Sequence, residues 1–522
     1  MGVARVACRG QVGLHAPLVQ VEVSLAAGLP AFCIVGLPAT VVKESKERVR
    51  AALLNSRFEF PAGRITVSLA PAELPKEGGR FDLPIALGIL IASGQIRVPA
   101  DAVGAASAHE FYGELGLSGE LKPVHGLLLA AAHAQQQGHE LIVPHANAAE
   151  ACMVAPAQVR AAGHLLEVCR HLSGAATLPL CAAPLRRTAR EVGLTAAGAD
   201  LTDVRGQLYA KRALIIAAAG GHSLLLVGPP GCGKSMLAQR LPAILPPLTE
   251  RDALEVAAIA AVSSAGFVPA RFGERPFRAP HHSASVAALV GGGARARPGE
   301  ISLAHLGVLF LDELPEFSRP VLEALREPLE SGVVSVSRAA LQAEYPAAFQ
   351  LVAAMNPCAC GRLGDPGGGC RCSPAQVRHY RARISGPLLD RFDLHVEMTR
   401  LAIRDFEASV GGESSSEAAA RVAHARELQM SRQGSCNARL SDLGVQRWCA
   451  PDARAGRVLE LAMRRLGFSG RARQRVLRVA RTIADLEGAS ALSAAHVGEA
   501  VMLRSMDRAA TAPSAPCDRR PA

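Results

Sequence analysis

The sequence predicts an α/β protein in which a core built on a parallel sheet is preceded by a smaller α/β domain and followed by a helical region. Three observations predict this arrangement. From residue 201 to about 400, apolar strand-like runs lead into loops that carry polar or charged residues, which is typical of a parallel sheet with its chemistry at the carboxyl ends of the strands. Residues 417–508 have a helical pattern throughout. Residues 1–175 alternate short strand-like and helical runs.

Shifts in composition divide the chain further. Residues 176–200 are rich in alanine, proline and arginine with weak periodicity, which indicates a linker. Gly411, Gly412 and a serine run mark a break before the helical region, and the proline-containing C-terminus predicts a disordered tail. The predicted parts are an N-terminal domain (1–175), a linker (176–200), a core (201–400), a helical lid (401–508) and a tail (509–522).

Charge and hydropathy limit the class of protein. The 522-residue chain has a net charge of +11, which fits a solvated basic surface or an anionic partner such as nucleic acid. Only six of the 57 basic residues are lysine and none follows Lys234, so a lysine inside a glycine-rich loop indicates a place where arginine would not fit. The first ten residues do not resemble a signal peptide, and the most apolar stretch, Leu214–Val227, is too short to span a bilayer. We therefore expect a cytoplasmic protein with reduced thiols and no membrane association.

A glycine-rich loop follows the apolar run Ser223–Val227 and fits the pattern G-x-x-x-x-G-K-[ST] in full. Its residues are Gly228, Pro229, Pro230, Gly231, Cys232, Gly233, Lys234 and Ser235. The glycines let backbone amides face phosphate oxygens without a Cβ in the way. Lys234 would reach the β and γ phosphates of ATP, and Ser235 would hold Mg²⁺ at the start of a helix whose N-terminus attracts anions. The loop therefore predicts a site for ATP with Mg²⁺.

Polar residues at the ends of two later apolar runs complete the predicted site. Asp312 and Glu313 follow Val308–Leu311, where Asp312 would hold Mg²⁺ through water and Glu313 would polarise the attacking water. Asn356 follows Phe349–Met355 and either orients that water or simply begins the turn before the next proline. We expect all three side chains to take part in catalysis.

Two arginines are candidates for sensing or completing the site. Arg391 is flanked by aspartates, which fits a surface ion pair or an arginine inserted in trans into the γ-phosphate site of a neighbouring subunit. Arg471 lies near the start of a predicted helix and shares one helical face with Arg475 and Arg478. That face is either a solvated basic surface or a phosphate contact, and we expect Arg471 to be the nucleotide sensor.

The order of these motifs resembles that of AAA+ ATPases, and five further segments resemble the magnesium-chelatase-like branch and, within it, the ComM/YifB proteins. The segments are Arg275–Ser283, Gly291–Gly293, Pro298–Ser302, Asn356–Cys358 and Ser385–Asp393. The resemblance covers nearly the whole chain. It implies a homo-oligomer, expected to be a hexameric ring, and ATP-driven movement of DNA branch points during transformation or recombination. The alternative is a chelatase-type ATPase that remodels a protein partner.

The resemblance also implies where single-stranded or branched DNA would bind. Residues 256–300 resemble an insertion of this branch, and Val333–Leu341 resembles one arm of a hairpin, both directed toward a central channel. Arg295, Arg297 and Arg338 are then candidate phosphate contacts, although each also fits an ordinary exposed arginine.

The N-terminal domain resembles the proteolytic domain of Lon. Pro75–Asp82 matches the segment that carries the nucleophilic serine of Lon proteases, but Arg80 or a neighbour stands there. Gly113–Gly126 matches the segment leading to the catalytic lysine of Lon, whose position falls on Leu128. Because a Ser/Lys mechanism needs both a nucleophile and a base, the domain is predicted to be non-proteolytic.

Four cysteines form two C-x-C pairs nine residues apart: Cys358, Cys360, Cys370 and Cys372. They fit a structural Zn²⁺ site, reduced free thiols or a reversible disulfide. Another pair of metal-binding residue types, His281 and His282, is adjacent in sequence, and we expect it to serve in packing or hydrogen bonding instead.

Overall fold

A computed structural model gives the architecture of the chain. It describes residues 2–76, 78–98, 109–181, 200–293, 296–338, 341–365, 368–400, 412–504 and 506. Most of the predicted linker and the whole predicted tail lie outside the described residues, as does Arg295. The structure confirms the mixed α/β class, the parallel core sheet and the helical C-terminal region.

The N-terminal domain is built around a seven-stranded mixed sheet with the strand order β3-β4-β2-β1-β5-β8-β9. The strands of this sheet are β1 (Val3–Arg9), β2 (Leu18–Ala26), β3 (Ala31–Val35), β4 (Arg64–Ala70), β5 (His109–Phe111), β8 (Glu140–Pro144) and β9 (Val159–Ala162). Two further strands, β6 (Glu114–Leu115) and β7 (Leu121–Lys122), pair with each other in a separate sheet. The helices of the domain are α1 (Thr40–Asn55), α2 (Asp82–Ala92), α3 (Leu127–Gln137), α4 (Ala148–Cys152) and α5 (Leu165–Leu172).

Helix α2 is the centre of that domain's core. Its own leucine and isoleucine side chains lie on all faces of the helix, and its residues from Asp82 to Leu90 are buried. The helix packs on β1 and β2 so closely that a Cβ at Gly88 would overlap Val23. An all-round apolar helix must be covered on every face, which explains its central position. The likeness of this domain to Lon remains a prediction.

The core has five parallel strands in the order β11-β14-β17-β10-β18. Its strands and hairpins comprise β10 (Leu224–Val227), β11 (Phe277–Arg278), β12 (Gly291–Gly292), β13 (Arg297–Pro298), β14 (Val308–Leu311), β15 (Val333–Arg338), β16 (Leu341–Pro346), β17 (Gln350–Met355) and β18 (Leu394–Glu397). Its helices are α6 (Leu208–Gly220), α7 (Lys234–Ala238), α8 (Leu241–Ile244), α9 (Glu250–Ala261), α10 (Val286–Val290), α11 (Glu300–Leu303), α12 (Arg319–Ala324), α13 (Arg326–Ser331), α14 (Pro374–Arg381) and α15 (Gly386–Leu389).

Strand β10 lies between β17 and β18, with Leu224 opposite Val352 on one side and Leu394 on the other. All residues of β10 and β14 are buried, because helices cover both faces of a parallel sheet and favour continuous apolar strands. The carboxyl ends of β10, β14 and β17 therefore meet at one edge of the sheet.

The predicted hairpin forms from β15 and β16, paired antiparallel from Val333–Pro346 to Arg338–Leu341. The predicted arm from Val333 to Leu341 has the wrong C-terminal boundary, because Leu341 already belongs to the return strand β16. Val334, Val336 and Tyr345 are buried on one face of the hairpin.

The helical C-terminal region, which is predicted to be a lid, contains α16 (Ser415–Gln433), α17 (Asp442–Trp448), α18 (Ala453–Leu466), α19 (Gly470–Leu486) and α20 (Ala494–Met502). A serine or aspartate caps the N-terminus of each helix: Ser414, Ser441, Asp452, Ser469 and Ser493. Each side chain accepts a hydrogen bond from a free backbone amide of the first turn, which fixes where the helix begins. Helices α16 and α19 both pack on α6 and so attach the lid to the core.

Candidate nucleotide-binding site

The glycine-rich loop connects β10 to α7, and Lys234 is the first residue of that helix. Gly231 and Gly233 have positive φ values of 78° and 94°, which glycine adopts without a Cβ clash. Lys234 Nζ donates hydrogen bonds to the carbonyl oxygens of Gly228 (2.7 Å) and Pro229 (3.0 Å) and to Asn356 Oδ1 (3.2 Å). Burial lowers the pKa of Lys234. The ammonium is thus held at the loop by three uncharged oxygens.

Asp312 and Glu313 follow β14 on the same edge of the sheet. Ser235 Oγ donates a hydrogen bond of 2.6 Å to Asp312 Oδ2, and Asp312 Oδ1 accepts one of 2.9 Å from the Glu313 amide. Glu313 has a φ of +53°, in the left-handed region that costs a residue with a Cβ about 1 kcal/mol or more. Its side chain lies beside the ring of His282, with Nδ1 at 3.3 Å from Oε2.

These side chains surround one cavity of about 400 Å³. Its lining residues come from the glycine-rich loop, α7 and the ends of β14 and β17: Pro230, Gly231, Gly233, Lys234, Ser235, Met236, Asp312, Glu313, Met355 and Asn356. The structure therefore brings together the predicted lysine, serine, two carboxylates and asparagine. Neither Arg391 nor Arg471 is among these residues.

Arg391 lies just after α15 and pairs with a different helix. Its Nη2 donates to Glu330 at the end of α13, and its Nη1 donates to the carbonyl of Pro387 at 2.6 Å. Glu330 is 68% exposed, whereas the Arg391 side chain is 11% exposed, so only the carboxylate of the pair faces solvent. Arg391 therefore lies outside the nucleotide cavity of this chain, bonded to Glu330 and Pro387.

Asp393, two residues further on, forms a charge network that the sequence did not reveal. Its Oδ2 accepts a hydrogen bond from the Ser223 amide (3.2 Å) and lies 3.3 Å from His222 Nδ1. Its Oδ1 lies 3.5 Å from Arg475 Nη1 of α19. Burial raises the pKa of Asp393, but the hydrogen bond from His222 and the charges of His222 and Arg475 outweigh it and lower the pKa to about 2. The carboxylate joins the start of β10 to the lid.

The basic face of α19 is therefore divided. Arg475 belongs to the Asp393 network, Arg478 lies 3.8 Å from Asp442, and Arg471 is exposed near the helix start. Periodicity placed these arginines on one face, and tertiary contacts give Arg475 and Arg478 different partners while Arg471 is exposed.

Family models match three parts of the chain. "Magnesium chelatase, subunit ChlI" matches residues 200–406, "Subunit ChlI of Mg-chelatase" matches 21–147, and "Magnesium chelatase, subunit ChlI C-terminal" matches 412–504. Similarity to individual proteins extends over the whole length. The chain is 48% identical over 510 residues to the competence protein ComM of Haemophilus influenzae, covering 97% of this chain and 98% of the relative.

The chain belongs to the magnesium-chelatase-like ComM/YifB family. Two further members are YifB of Salmonella typhimurium, 49% identical over 510 residues, and YifB of Escherichia coli, 46% identical over 509 residues. Each comparison covers 97% of this chain and 98% of the relative. The resemblance stated from the motifs is thus confirmed, and membership of this AAA+ family implies the use of ATP and Mg²⁺.

In this family member, the positions matched to the Lon dyad carry neither nucleophile nor base. Arg80 is buried and donates to Gln11 Oε1 (3.0 Å) and to the carbonyl of His125 (2.6 Å). Leu128 is buried as well. Arg80 and His125 line a cavity of about 240 Å³ between the N-terminal domain and the core, together with Arg297.

Two of the three arginines suggested for DNA lie within the described residues. Arg297 is half-buried and faces the cavity just described. Arg338 ends β15. The histidine pair forms hydrogen bonds, as expected: His281 Nδ1 lies 2.7 Å from Ser283 Oγ, and His282 contacts Glu313.

The four cysteines of the two C-x-C pairs lie together, and their four sulfur atoms are all within 4.8 Å of one another. Hydrogen bonds with the backbone amide of Arg362, the side chain of Cys358 and the backbone amide of Arg371 lower the pKa of the Cys360 thiol to about 6.

None of the helices in the described part of the chain is long and apolar enough to cross a membrane.

Proposed function

We propose that this protein is a cytoplasmic, ATP-hydrolysing AAA+ motor that remodels DNA, acting as a hexameric ring that drives branch migration in natural transformation or recombination. One observation carries the ATPase part. A lysine, a serine–aspartate pair, a glutamate and an asparagine line a single cavity at the carboxyl edge of a parallel sheet. That edge is where open α/β sheets bind their ligands.

Each residue of the cavity has a role in this proposal. Lys234 exchanges its carbonyl partners for the β and γ phosphates of ATP, since its three present acceptors are uncharged. Ser235 and Asp312 fit Mg²⁺ because their oxygens, 2.6 Å apart, are the hard donors that this ion prefers. When bound, Mg²⁺ neutralises charge on the phosphates. Glu313 accepts a hydrogen bond from the attacking water, and Asn356 orients that water.

The two remaining arginines act on the γ-phosphate. Arg391 reaches the site of the neighbouring subunit in the ring, which agrees with its position outside the nucleotide cavity of its own chain and with its pairing to Glu330, a carboxylate that is 68% exposed. Arg471 moves with the lid and senses the nucleotide. The exposure of Arg471 supports this role because its charge is free to meet a phosphate.

Two observations support DNA as the substrate. The chain has a net charge of +11, which favours a polyanionic partner. A relative that matches almost its whole length is named a competence protein. We propose Arg295, Arg297 and Arg338 as phosphate contacts. The second candidate function is a chelatase-type ATPase that remodels a protein partner, favoured by the family models that match all three parts of the chain.

The deciding experiment measures the steady-state ATPase rate alone and with single-stranded, duplex and four-way-junction DNA at fixed salt. We expect stimulation by DNA that is greatest with the junction and is lost at high salt, because phosphate contacts release counterions. Robust ATP turnover with neither DNA binding nor a response to DNA would instead support the protein-remodelling function. Glu313→Gln is the control that removes turnover while keeping nucleotide binding.

A further inference from the structure

The two C-x-C pairs bring four thiols from an irregular segment to one point. Cys358 Sγ lies 3.4 Å from Cys360 Sγ and 3.8 Å from Cys370 Sγ, and the sulfurs of Cys360 and Cys370 are 3.7 Å apart. Cys372 completes the group within 4.8 Å. All four are free thiols, because a disulfide would bring two sulfurs to about 2.05 Å.

These separations match a single tetrahedral metal ion. Four sulfurs placed at about 2.3 Å from one Zn²⁺ lie about 3.8 Å from one another, which is the edge length of the tetrahedron. The sulfur–sulfur distances of 3.4, 3.8 and 3.7 Å agree with that edge. Soft thiolates in tetrahedral geometry select zinc over the oxygen-preferring ions Mg²⁺ and Ca²⁺.

The segment also needs a cross-link. Between the two pairs, Arg362 and Gly364 are exposed, as are Gly368 and Gly369, so few apolar side chains hold it together. The backbone amides of Arg362 and Arg371 donate to Cys360. Such N–H donors, together with a closed set of four sulfurs, are what a structural metal site provides in place of an apolar core.

The cluster adjoins the nucleotide cavity. Cys358 is buried two residues after Asn356, and the carbonyl between them accepts a hydrogen bond of 3.3 Å from Arg381 Nε. Gly361, which follows Cys360, lies so close to the glycine-rich loop that a Cβ there would be 2.8 Å from Pro230 Cδ. A fixed cluster would therefore hold the segment after Asn356 against that loop.

We propose that Cys358, Cys360, Cys370 and Cys372 bind one structural Zn²⁺ that fixes the segment after Asn356 against the phosphate-binding loop. Each thiol loses its proton to solvent as its sulfur binds the metal, and no oxidation occurs. The zinc site stands independently of the enzyme activity. Its effect on ATP turnover rests on the proposed function.

The first test measures the metal content of the full-length protein, purified without metal-affinity resin, by plasma mass spectrometry. We expect one zinc per chain, with sulfur as the sole neighbour at about 2.3 Å by X-ray absorption. Stoichiometric iron, the absence of metal, or disulfides in a thiol count under non-reducing conditions would each overturn the assignment. Lys234→Ala should keep its zinc, so a failed ATPase site and a failed zinc site give different results.

The second test compares Cys360→Ser/Cys372→Ser with the matched control Cys33→Ser/Cys436→Ser, whose cysteines lie outside the cluster. We expect zinc content to fall at least tenfold in the first variant and to stay at one per chain in the control. Chelator-stripped wild type should lose ATP turnover and regain it when Zn²⁺ is returned. Unchanged turnover after zinc removal would overturn the positioning role, and equal zinc content in both variants would overturn the ligand assignment.

Discussion

The molecule holds two buried charges in opposite ways. Lys234 is surrounded by uncharged oxygens, and burial lowers its pKa. Asp393 is surrounded by His222, Arg475 and a backbone amide, and its pKa falls to about 2. A cation whose hydrogen bonds all go to uncharged oxygens favours the arrival of an anion, whereas a carboxylate with cations beside it is already satisfied. The first is arranged for a ligand and the second for stability.

Lys234→Ala should separate these two properties most clearly. We expect ATP turnover to fall below detection because the β and γ phosphates lose their cation. The melting temperature should change by no more than a few degrees, since the lost bonds go to carbonyls at the cavity. ATPase assays and thermal melts check this, with the exposed Lys122→Ala as control. Undiminished turnover would refute the site assignment.

Arg391→Ala tests a charge that neither lies in the nucleotide cavity, as Lys234 does, nor belongs to the Asp393 network. The substitution removes the hydrogen bond to the Pro387 carbonyl and the ion pair with Glu330. Because Glu330 is largely exposed, the pair is worth up to about 1 kcal/mol, so the fold should persist. Nucleotide binding and assembly should remain, while hydrolysis should fall by about 10³-fold or more, as for other arginine fingers. Mixing Arg391→Ala with Lys234→Ala subunits should restore some turnover, because each supplies what the other lacks. Retained hydrolysis in Arg391→Ala alone would contradict the role in trans.

Asp393→Asn should act on stability. Breaking a buried ion pair costs about 3–5 kcal/mol, and the partly covered position of Asp393 places the expected loss at the lower end of that range. Chemical denaturation measures the loss. Asp390→Asn, on the other side of Arg391, is the matched control and should be close to wild type. Equal stability of the two variants would show that the network contributes little.

The pH dependence of that difference has a definite sign. Because the folded pKa of Asp393 is about 2 and its ordinary value is 3.8, the carboxylate stabilises the fold fully above about pH 4. The stabilisation should disappear as pH falls from 3.8 through 2. Denaturation of wild type and Asp393→Asn at several pH values should therefore show curves that converge in acid. A constant difference across this range would contradict the depressed pKa.

The sequence predicted which residues meet at the candidate nucleotide site because their meeting depends on local order. Lys234, Asp312 and Asn356 each follow an apolar strand, and parallel strands bring such positions to one edge. The Asp393 network was not predictable in this way. His222 lies 171 residues from Asp393, and the pairing depends on how α19 packs against the core. Helical periodicity grouped Arg471 with Arg475 but could not assign their partners.

The fold shows the same difference between features set by local sequence and contacts between distant residues. Patterns of apolar residues predicted the parallel core and the helical C-terminal region, since burial on both faces of a strand leaves a continuous apolar run and burial of one stripe of a helix leaves a helical period. The contact of Glu313 with His282 left no such pattern. The histidine precedes it by 31 residues, and the meeting of the two side chains depends on an irregular segment between β11 and α10.

His282→Ala should have the smallest effect and tests whether the nucleotide site includes residues beyond those of its sequence motifs. His282 and Glu313 are both substantially exposed, so their contact contributes about 0.5–1.5 kcal/mol to the orientation of the carboxylate. We expect turnover to fall by less than about tenfold with ATP affinity unchanged, because His282 touches the glutamate and not the phosphate loop. The matched control in ATPase and nucleotide-binding assays is His281→Ala, because the His281 ring contacts that of His282 but is hydrogen-bonded to Ser283. Equal rates in the two variants would restrict the catalytic site to the residues that its motifs define, and a loss as complete as that of Lys234→Ala would give His282 a direct part in catalysis.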